Sequence, residues 1–480
     1  MKELAHRALN LAQLKGAAYG DIRIIHLVTE RIDVKNGVVE GLSLHRDQGF
    51  GVRVLADGAW GFASSSRLTF QEIERITNLA VEIAKASALV KRENVELGPP
   101  EVHKDTYRTP VKSDPFSIPL EEKIALLLTA DGEMRKVKGI AVAESGMIFI
   151  RENQIFASTE GSYIEQEVIE SGAGLEAMAT GEDEVQTRSY PNSFGRHQAT
   201  AGYEFIESMG LVENAQRIAE EAVALLTAKQ CASGITTLIL GGTQLALQIH
   251  ESCGHPIELD RVMGTEASYA GTSFLTLEKL RDFRYGSAIV KITADATFPG
   301  GLGTFGYDDE GVPAQRTPIV KEGVFVGYLT SRETAAKIGQ RSNGAMRADG
   351  WNRIPLVRMT NINLEPGEWT LEDLIADTGE WIFMDTNKSW SIDDKRLNFQ
   401  FGTEIAYEIK KGRLGALLRN ATYTGLTPEF WRSCDAICNR NHWQIWGTPN
   451  CGKGQPSQSA HVGHGAAPAR FRNVRVGVMR

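Results

Sequence analysis

The apolar positions of the first 90 residues change period twice. Leu4, Ala8, Leu11 and Ala12 recur at helical spacing and stop at Gly16, which predicts a helix over 1–16. Residues 22–28, 32–34, 38–44, 50–56 and 59–63 are instead rich in β-branched and aromatic side chains and read as strands. Two of their separators, Asn36-Gly37 and Asp57-Gly58, are dipeptides that accept the positive φ of tight hairpin turns. Thr69-Phe-Gln-Glu72 reads as a capping box, and Ile73, Ile76, Ala80, Ile83 and Ala84 continue behind it at helical period. An antiparallel sheet with one face covered by two helices is expected over 1–90.

Residues 91–115 are polar and contain Pro99, Pro100, Pro110 and Pro115, the composition of a linker. A helix is expected over 117–137, then strands over 141–150 and 154–158. A second amphipathic helix over 211–229 carries Ala215, Ile218, Ala219, Ala222, Val223 and Leu226. From Cys231 onward the pattern is mostly β, with hairpin signals at 321–323 and 410–412. The fold class expected is α+β: N-terminal antiparallel sheets with covering helices, and a mostly β C-terminal domain that carries a metal-site helix. The expected domains are 1–110, 111–230 and 231–480.

Composition narrows the function classes. A chain of 480 residues is long enough for about three domains. No apolar run approaches the roughly 20 residues of a membrane helix, and the N-terminus lacks a signal-peptide core, so no membrane partner and a cytoplasmic location are expected. The formal charge of −8, with Lys and Arg dispersed, argues against nucleic acid as a partner. Five cysteines, an odd number scattered over a long chain, read as free thiols or metal ligands rather than a disulfide framework.

The chemistry concentrates after an apolar run at 235–240. Gly241-Gly242 reads as a turn, Thr243 as a cap, and Leu245, Leu247 and Ile249 as the apolar face of a short helix. That helix delivers His250, Glu251, Cys253 and His255. His250 and His255 form H-E-x-x-x-H, one residue longer than the H-E-x-x-H of familiar zinc proteases. In a regular helix, positions five apart lie about 140° apart round the axis, too far to share an ion. Gly254 is expected to relieve this, as a π-bulge or as a left-handed helix end. Pro256 disfavours helical geometry at His255 itself. His255 is therefore expected just past a terminus or kink, turned back toward His250. The third ligand stays open on residue grounds. Cys253 is nearest but reads better as a core thiol, and Cys434 and Cys438, on an expected helix over 428–439, read as core thiols too. Cys451 sits in the glycine-rich Gly447-Thr-Pro-Asn-Cys-Gly-Lys-Gly-Gln455, an expected loop, and His461 and His464 read as loop or surface residues.

Further segments carry a resemblance. Asp308-Asp-Glu-Gly-Val-Pro-Ala-Gln-Arg-Thr317, Asn343-Gly-Ala-Met-Arg347, Val357-Arg-Met-Thr-Asn361 and Cys451-Gly-Lys-Gly-Gln455 follow H-E-x-x-x-H in an order that resembles the TldD/PmbA family of zinc metallopeptidases, of the catalytic TldD type. The resemblance covers most of 235–478. It implies His250, His255 and Cys451 as ligands of one Zn2+ per chain and Glu251 as the catalytic carboxylate. It also implies a peptide or unfolded-protein substrate, and a homodimer or a heterodimer with a related chain. Three ligands leave a fourth position for water, with Glu251 as general base. The alternative is a non-catalytic peptide-binding or regulatory subunit of such a dimer, holding a structural zinc. The oxyanion stabiliser is not identifiable, although the glycines of 298–306 offer backbone N–H groups. Asp308, Asp309 and Glu310 read as turn and hydrogen-bonding residues rather than ligands of a second metal.

Overall fold

Long hairpins organise the N-terminal half. The computed structural model describes residues 1–100 and 102–478; Glu101 of the expected linker and positions 479 and 480 of the expected C-terminal domain lie outside them. Helix α1 (Lys2–Leu14) leads into β1 (Tyr19–Lys35), β2 (Val38–Ala56) and β3 (Ala59–Ser65). Both hairpin turns take the expected positive φ: 48° and 80° at Asn36-Gly37, 53° and 75° at Asp57-Gly58. The strand segments expected separately at 22–28 and 32–34, and at 38–44 and 50–56, are each one continuous strand. Their polar interruptions remain in the ladder, and residues 43–48 of β2 face solvent. Thr69 caps α2 (Phe70–Ala88) by accepting from the Glu72 N–H at 3.3 Å. The capping box is only half formed, because the Glu72 carboxylate pairs with Arg75.

The expected linker contains a strand, β4 (Lys104–Arg108), parallel to β6 (Tyr163–Thr180). Between them run α3 (Leu120–Arg135) and β5 (Ile140–Ser158); β7 (Val185–Tyr190) and β8 (His197–Ala199) also pair with β6. All eight strands share one sheet, in the order β3-β2-β1-β5-β6-β4 with β7 and β8 beside β6. On β1, Ile22 and Ile24 pack with α1 and α2, while Ile32 packs with α3 and the helix Leu211–Thr227. Strand side chains alternate, so these residues share a face, and the two helix pairs cover it at opposite ends. The other face meets the C-terminal half: buried Arg23 donates to the carbonyls of Gly350 and Arg353.

The C-terminal half is mostly β, as expected. Gly234–Leu240 lies between Trp381–Ile392, parallel to it, and Ala469–Val478, antiparallel to it, within an eight-stranded sheet. A separate hairpin, Gln444–Lys453 with Gln458–Ala466, lies over the helix Gly242–Ile249. The helix expected over 428–439 ends early: Thr427–Arg432 is helical and Cys434–Ile437 is a strand paired with Ala469–Val478. Strand alternation buries Cys434 and Ala436 and exposes Asp435 to Arg470 and Arg472. A register irregularity between Cys434 and Ala436 lets Cys434 and Cys438 enter different apolar clusters, as core thiols.

The site helix is capped from outside its own sequence. Gly241, not Thr243, holds the N-cap position and has no side chain to offer. Asp385, on the adjoining strand, accepts from the Thr243 hydroxyl at 2.5 Å and from the Gln244 N–H at 3.3 Å. A Cβ on Gly241 would lie 2.3 Å from the Asp385 carboxyl carbon, so glycine there makes room for the remote cap. Asp385→Ala removes an N-terminal acceptor and is expected to cost about 1 kcal/mol of stability in chemical denaturation. An unchanged denaturation midpoint would show that Asp385 contributes nothing to the helix.

Candidate metal centre

The helix that begins at Gly242 does not end at a kink; it widens. Residues His250–Gly254 form a π-turn, and the His255 N–H donates to the His250 carbonyl, a bond spanning five residues instead of four. The wider turn brings positions five apart onto one face, which a 3.6-residue turn cannot do. The two imidazole centroids stand 4.9 Å apart. Gly254 has right-handed geometry, φ −56° and ψ −58°, so of the two expected devices it is the π-bulge that occurs. A Cβ there would sit 2.0 Å from Met359 Sδ. Gly254 is thus needed for close approach to the core and not for a left-handed turn.

His255 itself is helical, φ −65° and ψ −41°, contrary to the expectation from Pro256. Pro256 cannot donate to the Ser252 carbonyl; Tyr285 Oη donates to it instead, at 3.0 Å. The widened turn and this substitute donor remove the usual objections to a helical residue before proline.

Cys451 arrives from the hairpin, 196 residues from His255. The glycine-rich segment is a strand rather than the expected loop, with an irregular register between Thr448 and Cys451. Such a bulge re-aims the side chains that follow it. Cys451 Sγ lies 3.6 Å from His255 Nε2. A tetrahedral zinc with ordinary bond lengths would separate a sulfur and a nitrogen ligand by roughly 3.6 Å. His250, His255 and Cys451 are all buried, and their ligand atoms lie within 4.8 Å of one another. Among the described residues this is the one such grouping. Two imidazoles and a thiol suit a borderline-soft divalent ion.

The surrounding residues orient each donor. His255 Nδ1 is 3.1 Å from Glu258 Oε2, so its N–H donates there and its Nε2 lone pair faces Cys451. Glu258 is completely buried; burial would raise its pKa, but Lys453 and His255 bring it well below the usual carboxylate range. His250 Nδ1 is 2.8 Å from His464 Nε2, which likewise leaves the His250 Nε2 free. Such partners fix the tautomer and ring orientation of metal-binding histidines. His464 is fully buried in a strand, correcting its reading as a surface residue. His461 is partly buried on the same strand, and its Nδ1 is 2.6 Å from Glu170 Oε2 of β6. Cys451 is held through its backbone, whose carbonyl accepts from the buried Arg358. Lys453 donates to Asp260 and to the Val357 carbonyl, each at 2.6 Å.

Glu251 lines the same cleft, of about 290 Å³, with the three donors and Arg396. Arg396 donates through Nη1 to Glu251 Oε2. Burial would raise the Glu251 pKa, but the two histidines and then Arg396 outweigh it and hold the carboxyl below its usual range. Cys253, the local rival ligand, is buried in the apolar core with Tyr285 beside it. The glycines of 298–306 do not line the cleft: Gly303 N–H donates to Asn361 and Gly306 N–H to Gln166. Asp308 accepts from the N–H groups of Glu310, Val312 and Met346, the hydrogen-bonding role expected. Arg396 and Glu258 were not foreseen. Glu258 stands three after His255, the spacing of helical neighbours and the one signal available for it.

Three family models match consecutive parts of the chain: the PmbA/TldA metallopeptidase domain 1 at 20–84, the central domain at 113–229 and the C-terminal domain at 233–478. A metalloprotease of Methanocaldococcus jannaschii is 32% identical over 94% of this chain and 95% of its own. A zinc metalloprotease TldD homolog of Saccharolobus solfataricus is 21% identical over 97% and 98%. Among solved structures, TldE from Thermococcus kodakarensis shares the fold with a TM-score of 0.76 and 17% identity, covering 99% of this chain and all of that one.

Two expectations follow from the site. Gly254→Ala forces Met359 to move within a packed core and should cost about 1–3 kcal/mol, with the double variant Gly254→Ala/Met359→Ala losing less than the sum of the two single losses. Undiminished stability in the single variant would remove the close-approach argument. The second concerns the thiols. Burial pushes Cys231 up to about 11 and Cys253 and Cys438 up to about 12, and raises Cys434 as well. Cys451 alone is lowered, since His255 and Arg358 outweigh burial. Ultraviolet titration of metal-free protein should therefore show one thiolate forming at lower pH than the other four, absent in Cys451→Ser.

Proposed function

Because the chain belongs to the PmbA/TldD metallopeptidase family, we propose that it is a zinc-dependent peptidase that hydrolyses peptides or unfolded polypeptides, with one Zn2+ per chain held by His250, His255 and Cys451. The observation that carries this reading is the arrangement of two tautomer-fixed imidazoles and an acidified thiol beside a buried carboxylate in one cleft. Zinc supplies Lewis acidity in such a site, making water a stronger acid and a peptide carbonyl a better electrophile.

The protein's own groups do the rest. His250 and His255 present Nε2 because Nδ1 of each donates to His464 and Glu258. Cys451 contributes a negative charge, which reduces the acidity the metal can confer. Glu251 then carries more of the proton transfer. As general base it accepts a proton from the attacking water while the water oxygen bonds to the carbonyl carbon. It returns that proton to the nitrogen as the C–N bond breaks, leaving a carboxylate and an amine. The two histidines, and then the pairing with Arg396, keep Glu251 ionised and able to accept.

The partner in this proposal is a second copy or a related chain, a reading supported by the likeness in fold to TldE. No described helix is long and apolar enough to cross a membrane. A structural-zinc subunit would have no use for a carboxylate in the cleft, and Glu251 favours the peptidase over it. Metal analysis and a peptide-cleavage assay test the assignment together. Glu251→Ala should keep stoichiometric zinc and lose cleavage, whereas Cys451→Ala should lose zinc and activity alike. Retained turnover in the first, or full zinc in the second, would overturn the corresponding role.

A further inference from the structure

We infer that Arg396 is the electrophilic catalyst of this cleft, the group that stabilises negative charge developing on the scissile carbonyl oxygen. The inference rests on the peptidase reading above and deepens it. Arg396 lines the cleft together with His250, Glu251, His255 and Cys451. Its side chain is 17% exposed, and its one side-chain hydrogen bond among the described residues runs from Nη1 to Glu251. Its Nε is buried and has no hydrogen-bond partner among the described residues. An unsatisfied buried donor on a cation is costly; Arg151, Arg332, Arg358 and Arg419 also carry one, but only Arg396 among these five lines the cleft. A carbonyl oxygen acquiring charge is an acceptor suited to that donor.

The backbone supports the same conclusion. Arg396 has φ 63°, the left-handed region that favours glycine or asparagine. Nothing at the turn requires arginine for its conformation. The turn is rigid: Arg396 N–H donates to the Asp393 carbonyl at 2.9 Å, and Asp393 N–H donates to the Asn398 carbonyl at 3.0 Å. The Asp393 carboxylate accepts from the Leu397 N–H at 2.7 Å and from Asn398 Nδ2 at 2.9 Å. Thr427 Oγ1 donates to the Arg396 carbonyl at 2.9 Å. Five bonds thus fix the hairpin turn from which the Arg396 guanidinium enters the cleft. The N–H groups of Gly301, Gly303 and Gly306 are committed elsewhere.

In the step proposed, the water oxygen bonds to the carbonyl carbon and the carbonyl π electrons move onto oxygen. Glu251 takes the water proton. Arg396 donates hydrogen bonds to the charged oxygen and transfers no proton, staying a cation throughout. Collapse restores the C=O bond, breaks C–N and returns the Glu251 proton to nitrogen.

The test uses the full chain reconstituted with zinc, as wild type, Arg396→Met and Arg396→Lys. Three quantities are read: zinc content, kcat and KM on an unstructured fluorogenic peptide, and calorimetric affinity for two tri-alanine isosteres. One isostere is a phosphinate, a tetrahedral anion; the other is a ketomethylene, planar and neutral. Arg396→Met should lower kcat and phosphinate affinity about 100-fold each, with zinc, KM and ketomethylene affinity within about twofold. Arg396→Lys should recover part of both losses, and it carries the test if the methionine variant fails to fold. A change in KM alone, an equal loss of both isosteres, or loss of zinc would overturn the inference. Should the wild type cleave no peptide, the peptidase reading fails by itself, and the ratio of the two isostere affinities still decides whether Arg396 recognises the anion.

Discussion

The site depends on one hydrogen bond, from the His255 N–H to the His250 carbonyl across five residues. A four-residue bond at the same point would rotate the second imidazole out of reach of the first. Three neighbours make the wider turn tolerable. Gly254 presses against Met359, Tyr285 satisfies the carbonyl that Pro256 cannot reach, and Trp431 Nε1 donates to the Ser252 hydroxyl at 2.9 Å. The extra residue in the motif is therefore compensated by packing on three sides, and the core around the turn is shaped by that need.

Charge is arranged around the donors in the same spirit. Glu258, Asp260, Arg358 and Lys453 form a buried group beneath His255 and Cys451, within which acids and bases alternate. Removing one member of such a group strands the others in a poorly solvating interior. Lys453 and Cys451 share a strand, so the group binds the hairpin to the helix through electrostatics, beside the proposed metal ligands. The N-terminal sheet joins the arrangement through Glu170, which accepts from both Gln198 and His461.

Local signals in the sequence carried most of the fold and part of the site. The hairpin dipeptides, the Thr69 cap and the amphipathic helices rest on chemistry within a few residues, and each recurs in the structure. H-E-x-x-x-H was informative because its spacing conflicts with a regular helix, which demanded a distortion near Gly254. What failed depended on distant partners. Cys451 looked like a loop residue because its strand is defined only by pairing with 458–466. His464 looked exposed because the imidazole that buries it lies 214 residues away. Thr243 looked like a cap because Asp385 was out of view. Arg396 carried no signal at all, since a left-handed arginine in a polar turn resembles any surface residue.

The separation of the donors along the chain has a consequence for biosynthesis. The second of the two imidazoles, His255, leaves the ribosome 196 residues before the thiol of Cys451. Until then the growing polypeptide offers only a two-point grip, with the affinity of an ordinary histidine pair and without the tautomer control that His464 provides. In the metal site proposed above, capture by all three donors would follow translation of the hairpin at 444–466 and its docking on the helix. For the peptidase proposed above, such an order would withhold hydrolysis while its own chain is still unfolded.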